Sequence, residues 1–202
     1  MDIAYLMLTL YRSLGTIQTM STLSMDDINP SIRSSVYTQS YDPQEVIEGV
    51  KIVELKEYAG EDGDFAELFR LNEKGESDQF PGFKIAQINR SSLIPGTIKA
   101  WHLHLKQDEV WYVPDDSKML TALWDVRVGS PTQGKVMRIP IGGISRRMVY
   151  IPRGVAHGIT NFSKKKGMII YFVSAHFDSK HPDEHRIPWD SKGADFWQAQ
   201  RD

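Results

Sequence analysis

The strongest constraint on this chain is a pair of histidines two residues apart. His102 and His104 lie in Gly-Thr-Ile-Lys-Ala-Trp-His-Leu-His-Leu-Lys-Gln-Asp-Glu over residues 96–109. Side chains along a strand alternate between faces, so residues i and i+2 point the same way. Both imidazoles therefore share one face, and Trp101, Leu103 and Leu105 take the other, apolar one. Lys-Gln-Asp at 106–108 reads as a turn, Glu109 follows it, and Val-Trp-Tyr-Val at 110–113 resumes a strand. A second stretch, Ile-Pro-Arg-Gly-Val-Ala-His-Gly-Ile-Thr-Asn over 151–161, adds His157 between a Pro-x-Gly turn and Asn161. Two strand histidines, a carboxylate beyond a turn and a distant third histidine are what a small barrel needs to converge polar groups in its interior.

The rest of the chain has the same texture. Short apolar runs at 50–55, 83–88, 110–113, 120–128, 148–151 and 168–173 are separated by breaks at 60–64, 94–96, 129–134, 142–143 and 164–167. Many short strands with regular turns predict an all-β sandwich or barrel. At 202 residues, one core domain plus an appendage is expected. Residues 25–45, rich in Ser, Asp and Pro, read as a linker, so the division expected is an arm and linker over 1–45 and a domain over 46–202. The apolar run near the start is too short to span a bilayer, and no positive charge precedes it as in a secretory signal. Residues 1–24 read either as a helical arm or as sequence upstream of a start at Met20 or Met25. Beyond Asp178 a polar, proline-broken tail precedes a short helix expected over 193–200. A net charge of -2 gives no reason to expect nucleic acid or an anionic membrane. With no cysteine, thiolate chemistry is excluded, any metal must have nitrogen and oxygen ligands, and a cytoplasmic location is the expectation.

Gly96, His102, His104 and Glu109, followed by Pro152, Gly154, His157 and Asn161, resemble the two motifs of the cupin superfamily. That resemblance implies a jelly-roll (double-stranded β-helix) barrel, here with an N-terminal arm. The glycine ending the first motif is replaced at or near Asp116. Within the cupins the chain is similar to the dTDP-4-dehydrorhamnose 3,5-epimerase family. The segments that carry the likeness are Trp-Asp-Val-Arg-Val-Gly-Ser-Pro-Thr-Gln-Gly at 124–134, Ile-Pro-Arg-Gly-Val-Ala-His-Gly at 151–158 and Glu-His-Arg-Ile-Pro-Trp-Asp at 184–190. Upstream, Asp-Phe-Ala-Glu-Leu-Phe at 64–69 and Gln-Ile-Asn-Arg-Ser at 87–91 continue it, so it runs in order from about Val46 to Asp190.

The family abstracts a proton beside a C4 ketone and returns it from the other face of the sugar. Carried over by position, the resemblance implies His102 as the base, Asp190 as its orienting carboxylate and His157 as the second family histidine. Glu67, Gln87, Asn89, Lys99, Arg127 and Phe177 fall at implied substrate-binding positions, with Arg70 and Arg90 as further candidates for a diphosphate. No cofactor is implied, and a homodimer is. The family's enolate-stabilising lysine aligns with Glu109 and its tyrosine proton donor with Phe177. A carboxylate repels an enolate, and phenylalanine has no proton to give. Two repairs are open. His102, His104, Glu109 and His157 could together hold a divalent metal (Zn, Fe, Mn or Ni) that polarises the ketone. Alternatively, His102 works without metal and His176 or Tyr171 supplies the proton. The expected function is thus an epimerase-type enzyme acting on a nucleotide-linked 4-keto-6-deoxy sugar. Its rivals are a metal-dependent cupin isomerase or oxygenase and a non-catalytic nucleotide-sugar binder.

Overall fold

A computed structural model describes residues 22–42, 44–114 and 117–200. The chain divides into two units, Met1–Pro43 and Gln44–Asp202. The arm expected over 1–24 lies almost wholly outside the described residues, as does Asp116. Within the first unit, the stretch read as a linker holds two capped turns. Ser24 and Asp27 form a capping box around the 3₁₀ turn Met25–Asp27, and Asn29 caps the helical turn Pro30–Arg33. No helix among the described residues is long and apolar enough to cross a membrane.

The second unit is a jelly-roll of antiparallel strands, as the resemblance implied. In chain order they are β1 (Lys51–Glu54), β2 (Glu57–Gly60), β3 (Gly63–Ala66), β4 (Gln87–Leu93), β5 (Ile98–Leu103) and β6 (Glu109–Tyr112). There follow β7 (Met119–Asp125), β8 (Val136–Ile141), β9 (Arg147–Ile151), β10 (Val155–Asn161), β11 (Gly167–Val173) and β12 (His185–Arg186). Among the described residues they form two five-stranded sheets, β1-β9-β6-β11-β4 and β12-β5-β10-β7-β8, and a separate β2-β3 hairpin. Val149, Ile169 and Trp111 of the first sheet pack with Leu123, Ile139 and Ile159 of the second in one core. Face-to-face sheets bury apolar surface in this way. Strand β10 is buried along its whole length, as the middle strand of its sheet should be. The run at 83–88 becomes a strand only from Gln87, and the expected terminal helix is the 3₁₀ turn Ala194–Trp197.

Two loop motifs prove to be structural. The buried Asp125 carboxylate accepts hydrogen bonds from Arg127 Nε, Ser130 Oγ and Thr132 Oγ1, at 2.9, 2.6 and 2.7 Å. Asn161, also buried, donates to the carbonyls of Leu93 and Lys165 and accepts from Ser163, tying three segments at one end of the barrel. Gly154, in the Pro-x-Gly turn, sits at φ +81, and a Cβ there would stand 2.7 Å from Arg127.

Candidate functional site

Strand β5 delivers His102 and His104, and its neighbours complete the arrangement. Across β10, His157 is the direct partner of His102, and on the other side Arg186 of β12 is too. Arg186, His102 and His157 therefore form one cross-strand row on a single face. An irregularity interrupts the β10–β5 register: His157 pairs with His102, but Ile159 pairs with Lys99. The extra residue on β5 breaks strict alternation, as a bulge does. Trp101 still points outward, into a cluster with Trp124 and Trp197, while Lys99 turns inward with Ala100 and His102. Gly158 permits this close approach, since a Cβ there would lie 2.3 Å from that of Ala100.

These side chains line a cavity of about 510 Å³ between the sheets. Its first wall carries Lys99, His102, His104 and His157; Glu109, Trp111 and Tyr171 stand on the facing sheet, and Glu184 and Arg186 complete the lining. Lys99 Nζ donates to Ser91 Oγ at 2.5 Å across the opening.

At the buried end stands Glu109, 4% exposed. It accepts from Trp111 Nε1 at 2.5 Å and Gln107 Nε2 at 2.8 Å, and pairs with His104 Nε2 at 3.2 Å. The other ring nitrogen of His104 donates to the Asp183 carbonyl. Burial pushes the His104 imidazole down, but the hydrogen bond and charge of Glu109 outweigh it and raise the ring to about 8. For Glu109, burial acts upward and loses to the hydrogen bond of His104 and the charges of His104 and His157, so the carboxyl lies well below its ordinary range. His157, 2% exposed, donates from Nδ1 to the Val155 carbonyl at 2.9 Å. Its Nε2 then points toward Glu109 Oε2, 3.5 Å away, and has no hydrogen bond among the described residues.

His102 is arranged differently. Its Nδ1 meets Glu184 Oε1 at 2.6 Å, and its Nε2 meets Arg186 Nη1 at 2.6 Å. A guanidinium has only donors and a carboxylate only acceptors, so the ring holds its proton on Nδ1 and its lone pair on Nε2. Burial lowers the proton affinity of His102; Glu184 opposes the shift, and His157 and Arg186 add to it. The ring is thus neutral at neutral pH.

The cavity gathers His102, His104, Glu109, His157, Lys99 and Tyr171 from the expected residues, but not the others. The carboxylate on His102 is Glu184; Asp190 is exposed in the turn that leads to Gly193. Arg127 is held by Asp125 and the Glu48 carbonyl, outside the cavity lining, because its guanidinium closes a loop. Glu67 is exposed, paired with Arg70 at 2.7 Å, and lines a separate cavity with Tyr58 and Phe65. Gln87 and Asn89 lie on the Ser91 face of β4 and bond each other at 2.7 Å, outside the lining. Phe177 is 65% exposed, and its backbone donates to Gln87. Neither Phe177 nor His176 lines the cavity, whereas Tyr171 does. Arg186, not anticipated as a site residue, sits on a two-residue strand too short to show any periodicity, and Glu184, equally unanticipated, lies just before it.

The family profile described as dTDP-4-dehydrorhamnose 3,5-epimerase matches residues 44–199. The chain is 35% identical over 151 residues to the spore coat polysaccharide biosynthesis protein SpsL of Bacillus subtilis, covering 75% of this chain and 95% of that one. Among solved structures it resembles dTDP-6-deoxy-D-glucose-3,5-epimerase RmlC of Legionella pneumophila, in complex with dTDP-4-keto-L-rhamnose, with a TM-score of 0.65 and 26% identity, covering 76% of this chain and 81% of the other. NovW, a 4-keto-6-deoxy sugar epimerase from the novobiocin gene cluster of Streptomyces spheroides, matches with a TM-score of 0.65 and 26% identity over 77% of this chain and 78% of its own. The chain belongs to the dTDP-4-dehydrorhamnose 3,5-epimerase family, whose members are sugar-nucleotide epimerases.

Proposed function

We propose that this protein epimerises a nucleotide-linked 4-keto-6-deoxy sugar by removing and returning a proton beside the ketone, in the cytoplasm, in the assembly of a surface glycan or glycoside. The observation that supports this most directly is the state of His102, a neutral ring in the cavity with Nδ1–H on a carboxylate and its lone pair on Nε2. Nε2 takes the proton from the carbon next to the ketone, and the C–H electron pair becomes the enolate with its charge on oxygen. Glu184 stabilises the imidazolium that forms. The Lys99 ammonium, carried into the cavity by the bulge in β5, is the positive charge available to the enolate oxygen in place of the family lysine at Glu109. Tyr171 stands on the facing sheet, and burial, with Glu109 and Glu184, keeps its hydroxyl protonated. Returning that proton from the far side inverts the centre, and water restores both groups. Deuterium wash-in from D2O into a dTDP-4-keto-6-deoxy sugar tests this. His102→Ala should lower exchange by about 10²–10⁴-fold; unchanged exchange in that variant removes His102 as the base.

A divalent cation at the buried end is a second reading, favoured by one observation. The ligand atoms of His104, Glu109 and His157 lie within 4.8 Å of one another, and the buried His157 Nε2 has no hydrogen bond among the described residues. Two nitrogens and a carboxylate oxygen suit Zn, Fe, Mn or Ni, and such an ion would polarise a carbonyl oxygen. His102, engaged by Glu184 and Arg186, is not in this set. Elemental analysis of purified protein tests the reading; Glu109→Gln should lower the metal content, and equal content in both proteins rejects these ligands. A homodimer is proposed from the family resemblance, with exposed Tyr58 and Phe65 on the β2-β3 hairpin as apolar surface for it to cover. Sedimentation equilibrium that gives a monomer mass rejects the dimer.

A further inference from the structure

Both nitrogens of the His102 ring are occupied, and the one that must receive a proton faces a cation. Strand register sets this up. Trp101 and Ile187 exchange backbone hydrogen bonds at 3.2 Å in each direction. The next pair along, His102 and Arg186, is therefore of the non-hydrogen-bonded type, whose side chains stand closest. Arg186 Nη1 reaches His102 Nε2 at 2.6 Å, and its Nη2 reaches Glu184 Oε1 at 3.0 Å. A guanidinium does not give up or accept a proton at any working pH, so while it stays there the base is closed.

We propose that Arg186 reads the diphosphate of the substrate, and that without a diphosphate it caps the nitrogen of His102 that takes the proton. This rests on the reading of His102 as base. The Arg186 side chain is 55% exposed at the cavity opening, and its one ionic partner among the described residues, Glu184, is 36% exposed. Such a pair in water is worth little. A guanidinium fork binds phosphate oxygens through two parallel charge-assisted hydrogen bonds, which are stronger than its bond to a neutral imidazole. An arriving diphosphate thus draws the fork outward, and the lone pair of Nε2 is uncovered only when the charged half of the substrate is seated. Binding energy from a remote part of the substrate is spent at the reacting carbon, and a sugar without the diphosphate meets a capped base.

The test compares wild type with Arg186→Met and Arg186→Lys in D2O wash-in. One substrate is a dTDP-4-keto-6-deoxy sugar and the other its neutral methyl 4-keto glycoside; dTDP binding is measured by calorimetry alongside. Arg186→Met should raise KM for the nucleotide sugar and weaken dTDP binding by about tenfold or more, while exchange into the neutral glycoside rises. Arg186→Lys should recover part of the nucleotide-sugar activity. Parallel loss on both substrates, as expected of an arginine that merely holds His102, overturns the proposal. So does dTDP binding unchanged by Arg186→Met. If wild type exchanges neither substrate, the base assignment fails on its own. The dTDP titration then still decides whether Arg186 reads the diphosphate.

Discussion

The two ends of the cavity treat histidine in opposite ways. At the buried end, Glu109 is closed in by Trp111, Gln107, His104 and His157, and His104 holds a proton up to about pH 8. At the opening, His102 is paired with a carboxylate as well, yet its proton affinity falls below the ordinary value. The difference lies in the company each ring keeps. His104 faces carboxylates and a carbonyl, while His102 shares its one carboxylate with a guanidinium and stacks beside His157 at 5.9 Å. One end is therefore a fixed, charge-paired floor. The other is a ring that keeps a lone pair on Nε2 and whose partners are exposed enough to rearrange.

The sharpest way to break this contrast is to remove each carboxylate in turn. Glu109→Ala strips the buried partner from His104 and should cost about 3–5 kcal/mol in urea unfolding. Glu184→Ala, at the exposed end, should cost no more than about 1 kcal/mol and yet lower deuterium wash-in. Equal losses of stability would erase the distinction between floor and opening. Next in size, Gly158→Ala forces a Cβ against Ala100 and the Trp197 ring, at 2.3 and 2.8 Å. Overpacking of that kind costs about 1–3 kcal/mol. Because it presses on the irregularity that turns Lys99 inward, wash-in should fall even where the protein stays folded; full activity in a folded variant would show that the bulge does not position Lys99.

The smallest effect is in pH, measured on metal-free protein. His104 is raised from 6.5 to about 8 on folding, so its pairing stabilises fully below 6.5 and is lost as pH rises through 8. His102 is lowered, so the unfolded chain binds its proton first and stability drops as pH falls below 6.5. Stability should therefore decline on both sides of that value. Replacing His104 by Gln should remove the alkaline decline and leave the acid one; loss of both would show that the rings do not titrate separately.

Much of this was legible in the chain itself. The His-x-His spacing, the turn before Glu109 and the Pro-x-Gly before His157 follow from strand periodicity and turn chemistry and carry the cupin resemblance, while segments such as 124–134 and 184–190 carry the family. What escaped has physical reasons. Glu184 stands 82 residues from His102 and reaches it from just before a strand of only two residues, which leaves no pattern to read. The family resemblance alone implies Lys99 in the site; strand alternation with Trp101 would place it outside the barrel, but for an irregularity that only the paired strands reveal. Arg127 has the charge for a phosphate, and its spacing from Asp125 does not announce that the two are already joined. Asp190 matches the family pattern by position, but the carboxylate that meets His102 in the folded chain is Glu184.

Asp183 deserves its own consequence. Its carboxylate collects the backbone N–H groups of Leu105, Lys106 and Gln107 at 2.9, 2.7 and 3.1 Å, and its carbonyl receives His104. Four residues on, Ile187 is stitched to Trp101. The short span between these two anchors carries Glu184 and Arg186 like a clip fastened at both ends. Exchanging the residues it presents would change the chemistry at the mouth of the cavity without asking the barrel to refold.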